Sequence, residues 1–431
     1  MVDTINIGMK YAKQWKAPGL LSAAIVAGCL VIAAPVFAET AAERMKAMEN
    51  KLETIQNELT QMTSGLASRS TSGEGLPIHG FMDVGFASNS QGTSANPMGF
   101  NVGALSFYLA PHFGDKVKAL VEPNFEVTPE GAIATDLERV QIGYTFSDTA
   151  TAWAGRFHTP YGYWNTGFHH GAQMQTSVLR PRFLDFEDKG GILPAHMVGL
   201  WGTGKVKAGE GKLTYDVYAG NGPRIAMGPA GPTTPTIQTI GTLDINLAGD
   251  NNHQAMVGFN LGYEFSGSLD GLRLAIHSLR GDVDDDNATV GLGTSLNKTG
   301  VNMVGGSAVY LAGDWEVLSE YYRFNDKDKS GGTGTHKSWA DYLQVGKSFN
   351  DLTPYVRFER TVLSQQDNYF SMQASGQSYT RQALGLRYNL NPKAALKFEL
   401  LNSSFKEDST GAIPRVALGY RSFYAQYAIG F

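Results

Sequence analysis

One long segment of this sequence carries closely spaced charges of both signs. Residues 159–195 separate two predicted strands, and the second half of the segment holds the side chains whose chemistry stands out. These are Arg180, Arg182, Asp185, Glu187, Asp188 and Lys189. Facing groups of opposite sign set up a transverse electric field, and rings of charge select ions in narrow passages. We expect these residues to sort charged solutes at a constriction; the alternative is a segment that packs on a subunit interface or covers a mouth.

The rest of the sequence offers little other chemistry. His169 and His170 are adjacent but have no carboxylate at ligand spacing, so we predict no metal site there. Residues 282–288, DVDDDNA, resemble a calcium loop but lack the glycine and the distal glutamate of an EF-hand, and surface calcium stays open there. The single cysteine, Cys29, lies in an N-terminal segment that we expect to be removed, which excludes disulfides and thiol catalysis. We predict that the protein is not an enzyme and holds no cofactor.

The elements that must position the charged segment are strands. From Pro77 onward, apolar and polar residues alternate with a period of two, as in strands with one apolar face. In the stretch MVGFNLGYEF the apolar face holds Val257, Phe259, Leu261, Tyr263 and Phe265. The sequence therefore predicts an all-β domain over 77–431.

The connections between these strands alternate between long and short. About eight long and seven short connections imply about sixteen antiparallel strands, an even number. Charged residues make up 17% of the chain, and no run of about 18 apolar residues occurs beyond the N-terminus. These observations predict a transmembrane β-barrel in a bacterial outer membrane. The alternative is a soluble β-sandwich or propeller, but no repeat of about 40–50 residues supports it.

The chain ends on an apolar strand, FYAQYAIGF. Tyr427, Ile429 and Phe431 fall on its apolar face. Because a sheet in lipid must close on itself to pair every backbone group, the last strand has to meet the first. The final strand resembles the assembly signal of bacterial outer-membrane proteins, which implies contact with outer-membrane lipid and with the barrel-assembly machinery.

The predicted inward faces of the strands carry both signs of charge. The pore-wall candidates are Lys118, Glu122, Glu126, Arg139, Arg156, Arg273, Glu316, Glu320, Arg357, Glu359, Arg387 and Glu399. A barrel of about sixteen strands leaves an aqueous channel unless it is plugged. We expect these side chains to bias ion passage, or alternatively to pair across strands and stabilise the wall.

The N-terminus has the pattern of an export signal. Three lysines precede an apolar core, and small residues lead to a cleavage site after Ala38, so we assign 1–38 as a signal peptide. Two alternatives are a membrane anchor and lipidation at Cys29, since VAGC resembles a lipoprotein box.

Residues 39–67 are predicted to form a short α-helical coiled coil in the periplasm, followed by a flexible linker at 68–76. Its apolar seam, with alternating spacings of three and four, is Met45, Met48, Leu52, Ile55, Leu59, Met62 and Leu66. Such a strict repeat favours self-association. The alternative is one amphipathic helix that lies on its own domain.

A known family resembles this layout. AGRFHTPYGYWN, residues 154–165, resembles a strand-end pattern of the phosphate-selective porin O/P group; Gly155, Arg156, Phe157, Pro160, Tyr161 and Gly162 match it. HMVGLWGTG, residues 196–204, resembles the strand after the constriction loop there, and the exported coiled coil resembles that of diacid-type porins. The resemblance implies a 16-stranded homotrimer with one pore per subunit. It does not imply phosphate selectivity, because glutamates interleave with the arginines here.

The sequence as a whole predicts a passive porin for small hydrophilic solutes of anionic or zwitterionic character. The net charge of −5 gives no indication of a nucleic-acid partner. One alternative is a structural anchor that tethers the barrel to peptidoglycan or a periplasmic partner, although a coil of about 25 residues reaches only about 38 Å. Another is a sheath for an electron-carrying partner, which needs a wider barrel than this chain builds.

Overall fold

The computed structural model describes residues 78–90, 98–128, 131–168, 171–187, 190–226, 242–245, 249–250, 253–285, 297–411 and 413–431. The strands in these ranges are β1 (His79–Asn89), β2 (Gly99–Tyr108), β3 (His112–Phe113), β4 (Val117–Val127), β5 (Ile133–Ser147), β6 (Ala150–His158), β7 (His196–Ala208), β8 (Gly211–Gly220), β9 (Arg224–Ala226), β10 (Thr242–Asp244), β11 (Met256–Glu264), β12 (Leu272–Asp284), β13 (Lys298–Ala312), β14 (Trp315–Asp328), β15 (Thr335–Lys347), β16 (Leu352–Val362), β17 (Tyr379–Asn391), β18 (Ala394–Phe405) and β19 (Leu418–Gly430). Two short α-helices, α1 (Trp164–Gly167) and α2 (Asn368–Ser371), and two 3-10 turns, Arg182–Leu184 and Gly267–Leu269, complete the elements described.

In the described ranges no helix has the length and apolar character needed to cross a membrane. The predicted signal peptide with its cleavage site at Ala38, the coiled coil at 39–67 and the linker at 68–76 all lie outside the described residues.

Sixteen long strands form one closed antiparallel barrel. Each pairs with its neighbours in chain order, with β8 pairing directly to β11, while β3 extends the edge beside β4 and β9 pairs only with β10. The last strand, β19, pairs with β1, where Phe81 stands opposite Gly430. The backbone N–H of Phe431 donates to the carbonyl of Gly80 at 3.0 Å, and the reverse bond is 3.1 Å. The last residue therefore completes the seam, and the prediction of about sixteen strands is confirmed.

The two ends of the barrel differ in their connections. Turns of two residues, such as 209–210 and 392–393, lie at the end where β1 begins and β19 finishes. The long segments 159–195 and 363–378 lie at the opposite end. We call these the short-turn end and the long-loop end. In outer-membrane barrels the short turns face the periplasm.

Side chains alternate along the strands between two faces. In β16, Tyr355, Arg357 and Glu359 are buried on the inner face, whereas Val356 and Phe358 are exposed on the outer face. An apolar outer face is favourable in lipid, and the closed ladder of backbone hydrogen bonds satisfies the peptide groups that lipid cannot. The period of two thus explains both the closed barrel and the apolar outer face that suits a lipid environment.

Aromatic rings mark the short-turn border of the outer face. The ring of Phe107 lies 6.0 Å from that of Phe125 and 6.1 Å from that of Phe431. Tyr427 and Ile429 share the outer face with Phe431 by alternation along the final strand. Aromatic girdles of this kind occur at the membrane–water interfaces of outer-membrane barrels.

A second aromatic group marks the long-loop border. The rings of Tyr321 and Trp339 stack with centroids 6.5 Å apart. The guanidinium carbon of Arg360 lies 4.7 Å from the ring of Trp339. The apolar band of the outer face lies between these two borders.

The structure corrects the orientation of one pore-wall candidate. Alternation in the sequence placed Arg156 on the inner face, but it pairs with Val140, whose side chain is exposed on the outer face. The inner face of β6 holds Trp153, stacked 6.1 Å from Trp201, and the fully buried Phe157, 5.7 Å from the same ring. The expectation was wrong because aromatic residues here fill the inside, so apolar character does not distinguish the two faces.

Candidate functional site

The segment between β6 and β7 crosses the inside of the barrel. We call residues 159–195 the crossing loop; its residues 169–170 and 188–189, which include the candidates Asp188 and Lys189, lie outside the described residues. The described part bonds to inner-face side chains of β14 to β18, about half a circumference away from β6 and β7. A segment that reaches the opposite inner wall has to pass through the lumen.

The base of the crossing loop is pinned by Asn165. The N–H of Thr159 donates to the carbonyl of Ala195 at 2.8 Å, which brings the two ends of the loop together. The side-chain amide of Asn165, fully buried, donates to the carbonyls of Thr159 and Ala195 at 2.9 Å each. Both loop ends are therefore held beside the strands from which they emerge.

A buried carboxylate on β14 holds the first turn of the loop. Glu320 Oε2 accepts the N–H of Tyr163 at 2.8 Å, and Oε1 accepts the N–H of Trp164 at 2.8 Å. The hydroxyls of Tyr322 and Tyr342 donate to the same carboxylate at 2.8 and 2.9 Å. All four lone-pair positions of the carboxylate are thereby used, which offsets the burial of its charge.

A glycine makes this close approach possible. Gly162 has φ of +61°, and a Cβ there would lie 2.0 Å from Glu320 Oε2 and 2.1 Å from the hydroxyl of Tyr322. A side chain at this position would therefore clash, and its backbone conformation would be strained as well.

Aromatic packing reinforces the same contact. Trp164 and Phe183 of the crossing loop and Tyr322 and Tyr342 of the wall are at most 2% exposed. The rings of Phe183 and Tyr322 are 5.5 Å apart, and those of Trp164 and Tyr342 are 5.8 Å apart. An aromatic core thus joins the loop to the wall.

The middle of the loop is bound by β16. Arg357, fully buried, donates through Nη1 to the carbonyl of Leu179 at 2.9 Å and through Nε to Glu359 at 2.9 Å. Glu359 in turn accepts the N–H of Arg182 at 2.8 Å and the hydroxyl of Tyr379 at 2.9 Å. Each charge has an opposite charge and loop backbone groups as partners, the condition under which buried ions are tolerated.

Two cations on β17 and β18 bind loop carbonyls. Arg387 Nη1 donates to the carbonyls of Gln173 and Gln175 at 2.6 and 2.8 Å. Lys397 Nζ donates to the carbonyl of Ser177 at 2.9 Å and also contacts that of Ala172. Backbone carbonyls that secondary structure leaves unpaired are thus satisfied by side chains of the wall.

Many of the pore-wall candidates therefore serve the crossing loop. Those with a hydrogen bond to it are Glu316, Glu320, Arg357, Glu359, Arg387 and Glu399. These side chains lie on the inner face, and their partners include loop atoms as well as side chains of the wall. The alternative, in which these charged side chains only pair with each other across strands, accounts for some of their contacts and not for those with the loop.

Arg180, a constriction candidate, lies in the packing of the loop itself. It is 5% exposed, donates to the carbonyl of Leu184 at 3.0 Å and to Asn165 Oδ1 at 3.2 Å, and stacks 4.1 Å from the ring of Phe186. Burial lowers the pKa of its guanidinium. The expected exposure of Arg180 to a water-filled passage is corrected, because these contacts hold the cation inside the folded loop.

Glu187 is also engaged within the loop region. Its Oε1 accepts the N–H of His196 at 2.9 Å, and its Oε2 lies 3.2 Å from Nδ1 of the same histidine. Burial raises the pKa of Glu187, but the charge and hydrogen bonds of His196 outweigh it and hold that pKa below its usual range. Glu187 thus closes the base of the loop onto the start of β7.

Arg182 and Asp185 are half-buried and keep some access to the lumen. The guanidinium carbon of Arg182 lies 5.2 Å from the ring of Phe405. Asp185 Oδ1 accepts the N–H of Phe186 at 3.0 Å.

The wall beside β6 carries its own ion pair. Arg139 on β5 contacts Glu122 on β4, and its guanidinium carbon lies 5.5 Å from the ring of Tyr108. Lys118 and Glu126, on the same inner face of β4, are half-buried. The pair of Arg139 and Glu122 fits the alternative in which charges stabilise the wall.

Basic side chains collect on the inner faces of β7 to β12, toward the short-turn end. Alternation places Lys205, Lys207, Lys212 and Arg273 there, together with the acidic Asp216 and Glu264. Lys205 pairs with Glu264 at 2.7 Å. Of these residues only Arg273 was predicted from the sequence, and alternation along β7 and β8 was the signal that could have identified the lysines.

A second loop closes over the crossing loop at the long-loop end. We call residues 363–378 the covering loop. The hydroxyl of Tyr369 donates to the carbonyl of Ile192 at 2.8 Å. Arg415 donates to the carbonyls of Phe370 and Gln373, among others, and so fastens the end of α2. Side-chain contacts of this kind leave no trace in strand periodicity, so they were not predicted from the sequence.

The acidic stretch at 282–288 is described as far as Asp285. Asp282 contacts Lys329 and lies 3.4 Å from Lys298, while Asp284 lies 3.3 Å from Lys298. Lysines thus compensate these carboxylates. Within the described ranges, no three or more His, Cys, Asp or Glu side chains are grouped as metal ligands.

The closed barrel of sixteen strands, its apolar outer band and its crossing loop define the class of the fold, which is that of outer-membrane porins. The fold supports a location in the bacterial outer membrane.

Comparisons with solved structures agree with this class. The anion-selective porin from Comamonas acidovorans superposes with a TM-score of 0.52 at 13% identity, over 82% of this chain and 99% of that one. Salmonella typhi OmpF in complex with daunomycin gives 0.50 at 12% identity, over 82% and 97%. At these identities the similarity shows the fold alone. No family model matches the sequence, and no curated protein matches it.

Proposed function

We propose that this chain forms a passive channel for small hydrophilic solutes across the outer membrane, with a preference for anionic or zwitterionic ones. The observation that carries the proposal is the crossing loop. It narrows the lumen of a closed sixteen-stranded barrel, which is what a channel that selects solutes by size and charge requires. Its anchors on the opposite wall hold it in one position, as a fixed constriction requires.

The preference for anions is supported by the basic group near the short-turn end. On the inner faces of β7 to β12, four basic side chains stand with two acidic ones. Lys207 and Lys212 are exposed to the lumen. At the loop, Arg182 and Asp185 are proposed to shape the passage. Charges at a pore mouth raise the local concentration of the opposite ion, so this arrangement favours anions.

The channel is proposed to be a homotrimer, supported by the heptad repeat at 39–67. Planar-bilayer conductance under a salt gradient tests both proposals. Stepwise openings in threes and a reversal potential on the anion side are expected. A folded protein that stays silent would overturn the channel function. Deletion of 39–70 is expected to remove trimers while pores remain, whereas loss of envelope attachment with unchanged trimers would favour a tether instead.

A further inference from the structure

A cavity of about 390 Å³ lies inside the barrel toward the short-turn end. Its lining joins Tyr163 of the crossing loop to the polar side chains Lys212, Glu264, Asp270 and Arg273. The apolar part of the lining is formed by Phe265, Leu272, Val309 and Leu311. Small-molecule sites have volumes of about 300–1,000 Å³ and combine an apolar lining with a few polar groups. The cavity has both properties.

Arg273 lines this cavity and carries one donor that has no acceptor in the described part of the chain. Its Nε is buried and has no hydrogen-bond acceptor among the described residues. Its guanidinium carbon lies 5.8 Å from the ring of Tyr163, which restricts the plane of the group. A buried donor without an acceptor is unfavourable, and a guanidinium fork matches the two oxygens of a carboxylate. The geometry therefore suits an incoming carboxylate.

The neighbouring charges add to this preference. Lys205 pairs with Glu264 at 2.7 Å. The charge of Glu264 is therefore shared between Lys205 and Arg273. Lys212 stands opposite Glu264 in the β8–β11 register and is exposed. Asp270 lies in the turn before β12. Two cations, Lys212 and Arg273, and two carboxylates, Glu264 and Asp270, line the cavity, and Lys205 beside it pairs with one of these carboxylates.

We propose that this cavity is a binding subsite for a small organic carboxylate with an apolar body. Arg273 and Lys212 hold the carboxylate, and Tyr163 with the apolar lining contacts the body. The inference rests on the proposed channel function, because the solute reaches the cavity through the lumen. The tyrosine comes from the loop turn that Glu320 fixes, so the subsite depends on a docked loop.

The test is current block by three probes in planar bilayers, each added to either side in turn. Benzoate has the carboxylate and the apolar body, acetate lacks the body, and benzylammonium reverses the charge. Benzoate is expected to block chloride current more strongly than the other two. Arg273→Gln is expected to weaken benzoate block roughly 10- to 100-fold, as for loss of a hydrogen bond to a charged group.

Lys347→Gln is the matched control. Lys347 lies at the same end of the barrel but on the outer face, with Nζ 4.9 Å from the ring of Trp315, so its removal changes the charge equally without touching the cavity. If Arg273→Gln does not fold, Lys212→Gln and Tyr163→Leu replace it, since the Lys212 side chain is exposed and the loop anchor uses only the backbone of Tyr163.

The outcomes separate the two proposals. Equal benzoate block in wild type and Arg273→Gln channels of normal conductance would overturn the subsite and leave the channel function intact. Benzylammonium block as strong as benzoate block would overturn the carboxylate preference, and with it the subsite as proposed. A wild-type protein without conductance would overturn the channel function itself.

Discussion

Glu320→Gln tests whether one carboxylate fixes the crossing loop. In the wild type, each oxygen of Glu320 accepts one loop N–H at 2.8 Å and one tyrosine hydroxyl. The amide turns one acceptor into a donor, so the N–H of either Tyr163 or Trp164 loses its partner, which costs about 1–3 kcal/mol. The other N–H meets a neutral oxygen in place of a charged one, a loss of about 1 kcal/mol. Loop docking should weaken by roughly 2–4 kcal/mol.

This free energy corresponds to a roughly 30- to 700-fold rise in the ratio of detached to docked loop. Single-channel recording measures that ratio as the occupancy of higher-conductance substates. Heat-modifiable mobility on gels shows in parallel that the barrel has formed. Glu122→Gln is the matched control, since Glu122 is buried equally on β4 and contacts Arg139 of the neighbouring strand.

An unchanged substate occupancy in folded Glu320→Gln channels would refute the anchoring role. An equal rise in Glu122→Gln channels would show that a weakened wall, rather than a released loop, is being measured.

Three further changes probe the two loops. Gly162→Ala should release the crossing loop and lower the unfolding temperature, because the new Cβ would lie 2.0 Å from Glu320 Oε2. Gly167→Ala is the control, since its Cβ would meet only the Tyr163 ring, at 3.3 Å, and should lower the unfolding temperature little. Equal unfolding temperatures of the two variants would contradict this prediction. Arg415→Gln should expose the covering loop to protease, because four backbone carbonyls lose a hydrogen bond from Arg415. Replacement of the exposed Arg421 by Gln should not have this effect, and equal cleavage rates in the two variants would exclude the role of Arg415. Burial raises the pKa of Asp367 from 3.8 to about 6, so the docked covering loop favours the protonated acid. Docking of this loop should therefore be strongest below pH 3.8 and should weaken as the pH rises through about 6. Substate occupancy should therefore rise between pH 4 and pH 7 in wild type and stay flat in Asp367→Asn, and a wild type without this trend would count against the assignment.

The strands were predictable from sequence because a membrane barrel leaves a simple pattern. Its outer face must be apolar and its strands must close, so a period of two and a count of connections suffice. Phe431 illustrates this: its place on the final apolar face predicted a seam, and its backbone bonds to Gly80 complete that seam.

The inner face was less predictable because many of its side chains form contacts with the crossing loop. Alternation placed Arg156 inward, and therefore Trp153 and Phe157 outward, yet the rings of these two residues pack inside. Glu320 and Arg357 lie on the inner face, and their partners include backbone groups of the crossing loop. Nearly every residue carries the same backbone N–H and C=O groups, so no sequence pattern shows which of them a side chain will bind.

The distribution of buried and exposed charge predicts where ion selectivity would arise in the proposed channel. Arg180 and Arg357 are at most 5% exposed, and both donate hydrogen bonds within the packed loop and its anchors, so their charges lie away from water. Lys207 and Lys212 are exposed on the inner face near the short-turn end. Unpaired mouth charges act on ions in water, whereas buried paired charges do so weakly. Replacement of Lys207 and Lys212 together by Gln should therefore shift the reversal potential toward cations more than Arg180→Gln does. A larger shift from Arg180→Gln would place selectivity at the loop, as the sequence alone had suggested.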